Sequence, residues 1–178
     1  LFRSLKSGLL QMKTLLLFIT VAFIATNTTA QEKTLFNANM IYTIPAGWYI
    51  KDSAAKKITL RKTGDEYSRI EITLNQYPDK DLAKFMALDK KKFSPDPHVR
   101  TILPDVKLGN HVYKKVKYFT NNKVLKVDTE LNYATLTQLK NPVPGVTNAL
   151  VQVMVFCSKA QETEMSKIAD ALATSMVY

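Results

Sequence analysis

The sequence predicts an α+β fold in which a mainly antiparallel sheet of about six strands carries two helices. Several segments alternate apolar and polar residues with the period of a strand, whereas two others repeat apolar residues at helical spacing. The order along the chain is strands, a helix, further strands and a final helix. This order indicates a layered fold in which both helices lie on the sheet.

The first strands surround a Pro-Ala-Gly corner. A lead-in strand is predicted near Met40–Ile44, and the segment KKITLRKT at 56–63 places Ile58 and Leu60 on one face of a strand. The segment YSRIEITLNQY at 67–77 alternates in the same way. A turn around Gly64 and Asp65 should join these last two strands.

Both helices have recognisable start signals. For the first, Asp79 is the expected N-cap, Pro95 and Pro97 end the helix, and the apolar stripe is Leu82, Phe85, Met86 and Phe93. For the second, Ser158 and Gln161 form a capping box, and the buried stripe is Met165, Ile168, Ala169, Leu172 and Met176. Two amphipathic helices are therefore predicted.

The second half of the chain returns to strands. Residues 111–120 and 123–139 are predicted to face each other in a hairpin across Asn121 and Asn122. The segment NALVQVMVFCS at 148–158 is apolar on both faces. It should be a central strand that is covered on both sides.

The N-terminal segment has the pattern of a secretory signal peptide. Lys13 follows Met12, an apolar run extends from Leu15 to Ala25, and small residues end at Ala30. We expect residues 1–11 to be upstream sequence, the signal to begin at Met12, and cleavage after Ala30 to leave residues 31–178 as a single domain. An uncleaved anchor is the alternative, although the apolar run is short for a membrane span. The protein should be periplasmic or secreted.

Trp48, the chain's one tryptophan, stands directly after the Pro-Ala-Gly corner. It could mark a binding site, but a scaffold role is the preferred interpretation, since a ring leaving this corner can fold over the sheet. Pro45 and Gly47 suit the second and fourth positions of a type I turn.

The lead-in strand ending in IPAGW, the two short strands, the helix, the strand meander and the C-terminal amphipathic helix resemble the PsbP/DcrB-like fold family. The resemblance extends over about residues 35–177 and implies an α/β/α sandwich. Members of this family act as extrinsic subunits, small binding or assembly proteins and envelope proteins. The family shares no catalytic residues, so the resemblance assigns no site residue.

Signals for metal or nucleophilic chemistry are weak. The histidines are His98 and His111, and a loop placing His98 near Asp96 is the best metal candidate. A solvated loop histidine is the simpler interpretation. Cys157, the one cysteine, permits no intrachain disulfide and ends an apolar strand, so it is interpreted as a buried small hydrophobic residue. The glycines are not clustered as phosphate-binding loops require.

Charged residues offer two further candidates. Asp128 and Glu130 share a predicted strand face, where a solvated surface is favoured over a catalytic carboxylate pair. The net charge is +10. A basic surface could combine Tyr67, Tyr113 and Phe119 with several cations, although lysines that protect a sheet edge are the favoured explanation. Those cations are Lys57, Arg61, Arg69, Lys115, Lys117 and Lys90 to Lys92.

The sequence thus predicts an exported, non-enzymatic binding or assembly protein of the bacterial cell envelope. No catalytic, cofactor-binding or metal-binding residue is assigned and no cofactor is expected. The expected partner is an envelope protein or an anionic surface, not nucleic acid, and no transmembrane segment is expected in the mature chain. The alternatives are a small secreted enzyme with an unrecognised site and a chaperone-like adaptor.

Overall fold

A computed structural model of the chain describes residues 31–35, 40–87, 98–120, 124–143 and 146–177. Its main sheet has seven strands, not about six, in the order β3-β4-β5-β9-β8-β7-β6, and every neighbouring pair is antiparallel. The strands are β1 Gln31–Leu35, β2 Met40–Ile44, β3 Trp48–Ala54, β4 Lys57–Lys62, β5 Arg69–Tyr77, β6 His98–Leu108, β7 His111–Thr120, β8 Thr129–Val143 and β9 Val146–Cys157. Helix α1 is Ala83–Ala87 and helix α2 is Glu162–Ser175, so helical content is small. The signal-peptide prediction falls on residues 1–30, outside the described residues.

One face of the sheet packs against α2. The alternating strand residues that face the helix include Leu60, Ile72, Tyr133 and Val153, and all are buried. The helix contributes the stripe predicted from its 3.6-residue period: Met165, Ala169, Leu172 and Met176 are buried, and Ile168 packs against the same cluster. Burial of this apolar surface is the main stabilising contribution.

The opposite face is covered in part by α1. Phe85 of the helix is buried with Val116, Tyr118, Ala134 and Leu150 in a second, smaller apolar cluster. The two helices therefore pack on opposite faces of the sheet. Because β9 lies between β5 and β8 and has apolar residues on both faces, its prediction as a central strand is confirmed.

The lead-in strand β2 is confirmed, but it lies outside the main sheet. It pairs with β1 in a two-stranded ribbon, and the backbones of Ile41 and Val177 exchange two hydrogen bonds of 2.9 Å. Met40, Tyr42 and Ile44 are buried in the cluster that includes α2. The ribbon and the helix thus share one side of the sheet.

Two strands of the sheet are not predicted from the sequence pattern. β3 is an edge strand with a bulge between Ile50 and Asp52, and its exposed half lacks alternation. β6 is the other edge strand, and it has Pro104 in its middle, which interrupts the usual strand pattern. The register shifts between Leu103 and Val106, at the kind of edge bulge that accommodates proline.

Local boundaries also differ. The side chain that caps α1 belongs to Asp81, which accepts a hydrogen bond from the backbone N–H of Ala83 at 2.8 Å, rather than to Asp79. β8 begins at Thr129, later than predicted, and the end of the predicted first helix and the Asn121-Asn122 turn lie outside the described residues.

The corner before β3 is a different turn from the one predicted. The backbone N–H of Trp48 donates to the carbonyl oxygen of Pro45 at 3.1 Å, and Gly47 has a φ of 77°. Gly47 therefore takes the third position of a type II turn, not the fourth of a type I turn.

Candidate functional site

The strongest candidate site surrounds the turn between β4 and β5. We use the name turn site for residues 61–68 together with the side chains of Tyr49, Lys51, Lys126, Ser158 and Gln161. Two neighbouring open clefts lie here, of about 750 Å³ and about 400 Å³. Both clefts are lined by Lys62, Gly64, Asp65 and Glu66, so the turn forms the ridge between them.

Arg61 organises the backbone of the turn. Its guanidinium donates to the carbonyl oxygens of Glu66, Tyr67 and Ser68 at 2.9, 3.0 and 3.5 Å. These are neutral acceptors, so the bonds fix the loop while the positive charge of Arg61 stays unneutralised by them.

Asp65 holds the same turn from the other side. One carboxylate oxygen accepts from the backbone N–H groups of Tyr67 and Ser68, both at 2.9 Å, and the other accepts from Gln161 Nε2 at 3.0 Å. Burial acts to raise the pKa of Asp65, but the hydrogen bonds from Ser68, Tyr67 and Gln161 outweigh it and hold the pKa well below its usual range. Asp65 is therefore a fixed anion with engaged oxygens.

The turn is tied to the start of α2 through Gln161. Its Oε1 accepts from Ser158 Oγ at 2.8 Å, from the Ser158 backbone N–H at 3.3 Å and from Ser68 Oγ at 3.3 Å. The capping box predicted for Ser158 and Gln161 is therefore present. The bond from Gln161 to Asp65 joins residues 96 positions apart, which sequence periodicity does not reveal.

The rim of the turn site is aromatic and basic. Tyr49 and Tyr67 are 48% and 44% exposed. Lys126 donates to the Tyr67 hydroxyl at 2.6 Å, and its Nζ lies 4.2 Å from the ring centroid. Lys62 pairs with Glu164 of α2 at 2.7 Å. A rigid turn thus carries two accessible tyrosine rings among cations.

The histidines are not brought together. His98 and His111 lie at opposite ends of the β6–β7 hairpin, where they pair with Thr120 and Leu108. His98 is a half-buried strand residue, not a solvated loop residue, and its ring packs edge-on to Tyr118 with centroids 5.7 Å apart. Asp96 lies outside the described residues.

Cys157 is fully buried, as predicted. Burial, followed by the nearby acids Glu162, Asp128 and Asp65, raises the pKa of its thiol to about 12. A neutral, enclosed thiol is a poor nucleophile.

The acidic pair Asp128 and Glu130 and the lysines of β7 do not form a common site either. Asp128 precedes β8, whereas Glu130 lies within it, between Tyr118 and Phe156 on the face that α1 partly covers. Lys115 and Lys117 lie on the other face, beneath α2, where they pair with Asp170 at 3.8 Å and Glu162 at 2.9 Å.

The basic surface considered as a possibility does not form as a single surface, because strand alternation sends its members to opposite faces. Lys57 and Arg69 both pair with Glu71, at 3.7 and 2.9 Å, on the face opposite α2, and Tyr113 is buried. Lys90 to Lys92 lie outside the described residues. Within the described part, no three His, Cys, Asp or Glu side chains come close enough to hold a metal ion. No helix among these residues is long and apolar enough to span a membrane.

Comparison with known proteins identifies the fold. No protein-family model and no curated protein matches the sequence. Among solved structures, cyanobacterial PsbP (CyanoP) from Synechocystis sp. PCC 6803 superposes with a TM-score of 0.57 at 13% identity, covering 86% of this chain and 95% of its own. A Bacteroides thetaiotaomicron structure gives a TM-score of 0.53 at 10% identity and covers 83% of this chain, which spans 48% of that protein.

The Saccharomyces cerevisiae Ran-binding protein Mog1p also aligns, with a TM-score of 0.49 at 13% identity over 85% of this chain and 96% of its own. At these identities the comparisons establish the fold alone. The resemblance noted in the sequence is confirmed at that level, and the chain has the PsbP-like fold.

Proposed function

We propose that this protein is an exported, non-enzymatic binding or assembly protein of the bacterial cell envelope that engages its partner through the turn site. The observation that carries the proposal is a pre-organised turn that exposes Tyr49 and Tyr67 beside cations. Tyrosine is enriched among the residues that dominate binding energy at protein interfaces. Loops held by a rigid scaffold are where binding residues concentrate.

The chemistry of the site supports binding rather than catalysis. General acid–base work requires a group whose pKa lies near the working pH, and the pKa of Asp65 is displaced in the opposite direction. The oxygens of Asp65 accept bonds that shape the turn. Its role is therefore structural.

Export is supported by the pattern of residues 12–30, with a basic start, an apolar run and small residues before Gln31. A chain with a single cysteine forms no intrachain disulfide, so its cysteine content is compatible with the cytoplasm and with the space outside it. The predicted cleavage site has no lipid-attachment cysteine, which favours a released protein over a lipid-tethered one. Fractionation of a producing bacterium, with N-terminal sequencing, should give a protein that begins at Gln31 outside the cytoplasm.

Site-specific photo-crosslinking tests the binding role. A photoreactive phenylalanine analogue at Tyr67 should give a discrete adduct with one envelope protein in producing cells. The matched control carries the same analogue at Val112, which is also exposed but lies on β7, near the opposite edge of the sheet. Equal adduct patterns from both positions, or none from Tyr67, would contradict binding through the turn site.

A further inference from the structure

We infer that the turn site receives an acidic protein segment that also carries apolar side chains. This inference rests on the proposed binding function and adds the chemistry of the partner. It draws on three features of the described residues: the charge around the clefts, the apolar groups beside them and the rigidity of the turn.

The cations around the two clefts are incompletely neutralised. Of the charged residues that line them, four are basic, namely Lys51, Arg61, Lys62 and Lys126, and two are acidic, namely Asp65 and Glu66. Lys62 pairs with Glu164, but Lys126 donates to the neutral Tyr67 hydroxyl and Arg61 donates to carbonyl oxygens. The excess of positive charge favours an anionic partner.

Exposed apolar side chains lie at the turn site and on the segment that leads into Lys126. Tyr49 and Tyr67 are about half exposed, and Val124 and Leu125, directly before Lys126, are 87% and 41% exposed. Contact of Lys126 with Tyr67 brings this second segment to the turn. A polyanion would leave these side chains in water, whereas a protein segment can bury them.

The turn is also fixed before any partner binds. Arg61 and Asp65 brace it through the bonds described above, and Gln161 anchors it to the start of α2. Ordering a loop on binding costs free energy, so a braced turn keeps more of the contact energy as affinity. An acidic and apolar segment can therefore dock here with little rearrangement.

Selection from a random dodecapeptide library with the purified chain tests the inference. Enriched peptides should combine Asp or Glu with aromatic or aliphatic residues, and binding by fluorescence anisotropy should weaken as salt rises. The double variant Lys51→Glu/Lys126→Glu should weaken that binding roughly tenfold, because two attractive contacts become repulsive. Lys107→Glu/Lys167→Glu, which makes the same charge change at exposed positions outside the clefts, should not.

Each outcome decides the question. Enrichment of neutral or basic peptides, or equal binding by the two double variants, overturns the inference, as does no enrichment at all. Binding to phosphatidylglycerol vesicles that depends on Lys51 and Lys126, without peptide enrichment, assigns the surface to a lipid instead. In all these cases a specific adduct from Tyr67 would leave the proposed binding function standing, whereas loss of that adduct would remove both.

Discussion

Trp48 and Tyr49 are neighbours in β3 with opposite environments. Trp48 is 7% exposed and belongs to the cluster beneath α2, whereas Tyr49 points the other way and is 48% exposed. The aromatic residue available to a partner is therefore the tyrosine. The sequence interpretation of Trp48 as a scaffold residue is confirmed, since strand alternation and the positive φ of Gly47 turn its ring inward.

Replacement of Trp48 by alanine should lower the free energy of unfolding by about 3–5 kcal/mol, the usual cost of emptying a buried aromatic site. Tyr49→Ala is the matched control and should change stability by no more than about 0.5 kcal/mol. Urea denaturation followed by circular dichroism measures both. Equal stabilities for the two variants would show that Trp48 is not a core residue.

Asp65 should give the fold a pH-dependent contribution. Its folded pKa lies below the ordinary value of about 3.9. The ionised form therefore stabilises the fold above that pH, and the contribution is lost as the pH falls further toward the folded pKa. Asp65→Asn should cost about 1–3 kcal/mol at pH 7, from weakened hydrogen bonds to a charged acceptor.

The difference between the natural chain and Asp65→Asn should shrink when urea unfolding is repeated at pH 3. Glu66→Gln, an exposed carboxylate in the same turn, serves as the control and should change stability little at either pH. If the difference in unfolding free energy between the natural chain and Asp65→Asn stays constant or grows at pH 3, the charge of Asp65 does not stabilise the fold.

At the scale of elements, the strands and helices that the sequence predicts correctly are those that bury most of their apolar side chains. β4, β5, β9 and α2 were predicted because each buries one or both faces, which imposes a regular apolar period. β3 and β6 were missed because they are edge strands: exposure relaxes alternation, and a bulge tolerates Pro104. Sequence patterns thus predicted the centre of the sheet better than its edges.

The β6–β7 turn packs closely against α2 at Gly109, which has a φ of 58°. A Cβ atom added at this position would lie only 3.1 Å from the carbonyl oxygen of Thr174. Gly109→Ala should cost about 2 kcal/mol or more, combining left-handed strain with crowding. Gly64→Ala should cost only about 1 kcal/mol, since its φ is 78° but its Cβ would meet nothing within 4 Å. Thermal or urea unfolding that ranks the two variants in the opposite order would contradict this account.

At the scale of the whole molecule, the turn site depends on contacts that link distant parts of the chain. The Gly64-Asp65 turn was predicted from local residues, but the bonds from Gln161 and Lys126 to the turn span 96 and 59 positions. Such contacts exist only once β9 has paired with both β5 and β8, which brings α2 and the segment before β8 to the turn. For that reason the sequence predicted the turn but assigned no site residue there.

Cys157 offers a readout of global stability, because it ends the central strand β9 and is fully buried. With its thiol pKa raised to about 12 by burial, it should react with an aromatic disulfide reagent at pH 8 only when the chain unfolds. Where refolding outpaces labelling, the labelling rate reports the unfolding equilibrium. Trp48→Ala should therefore accelerate labelling roughly a hundredfold or more, and Tyr49→Ala hardly at all. Fast labelling of the natural chain, at the rate of a free thiol, would show that β9 opens without global unfolding.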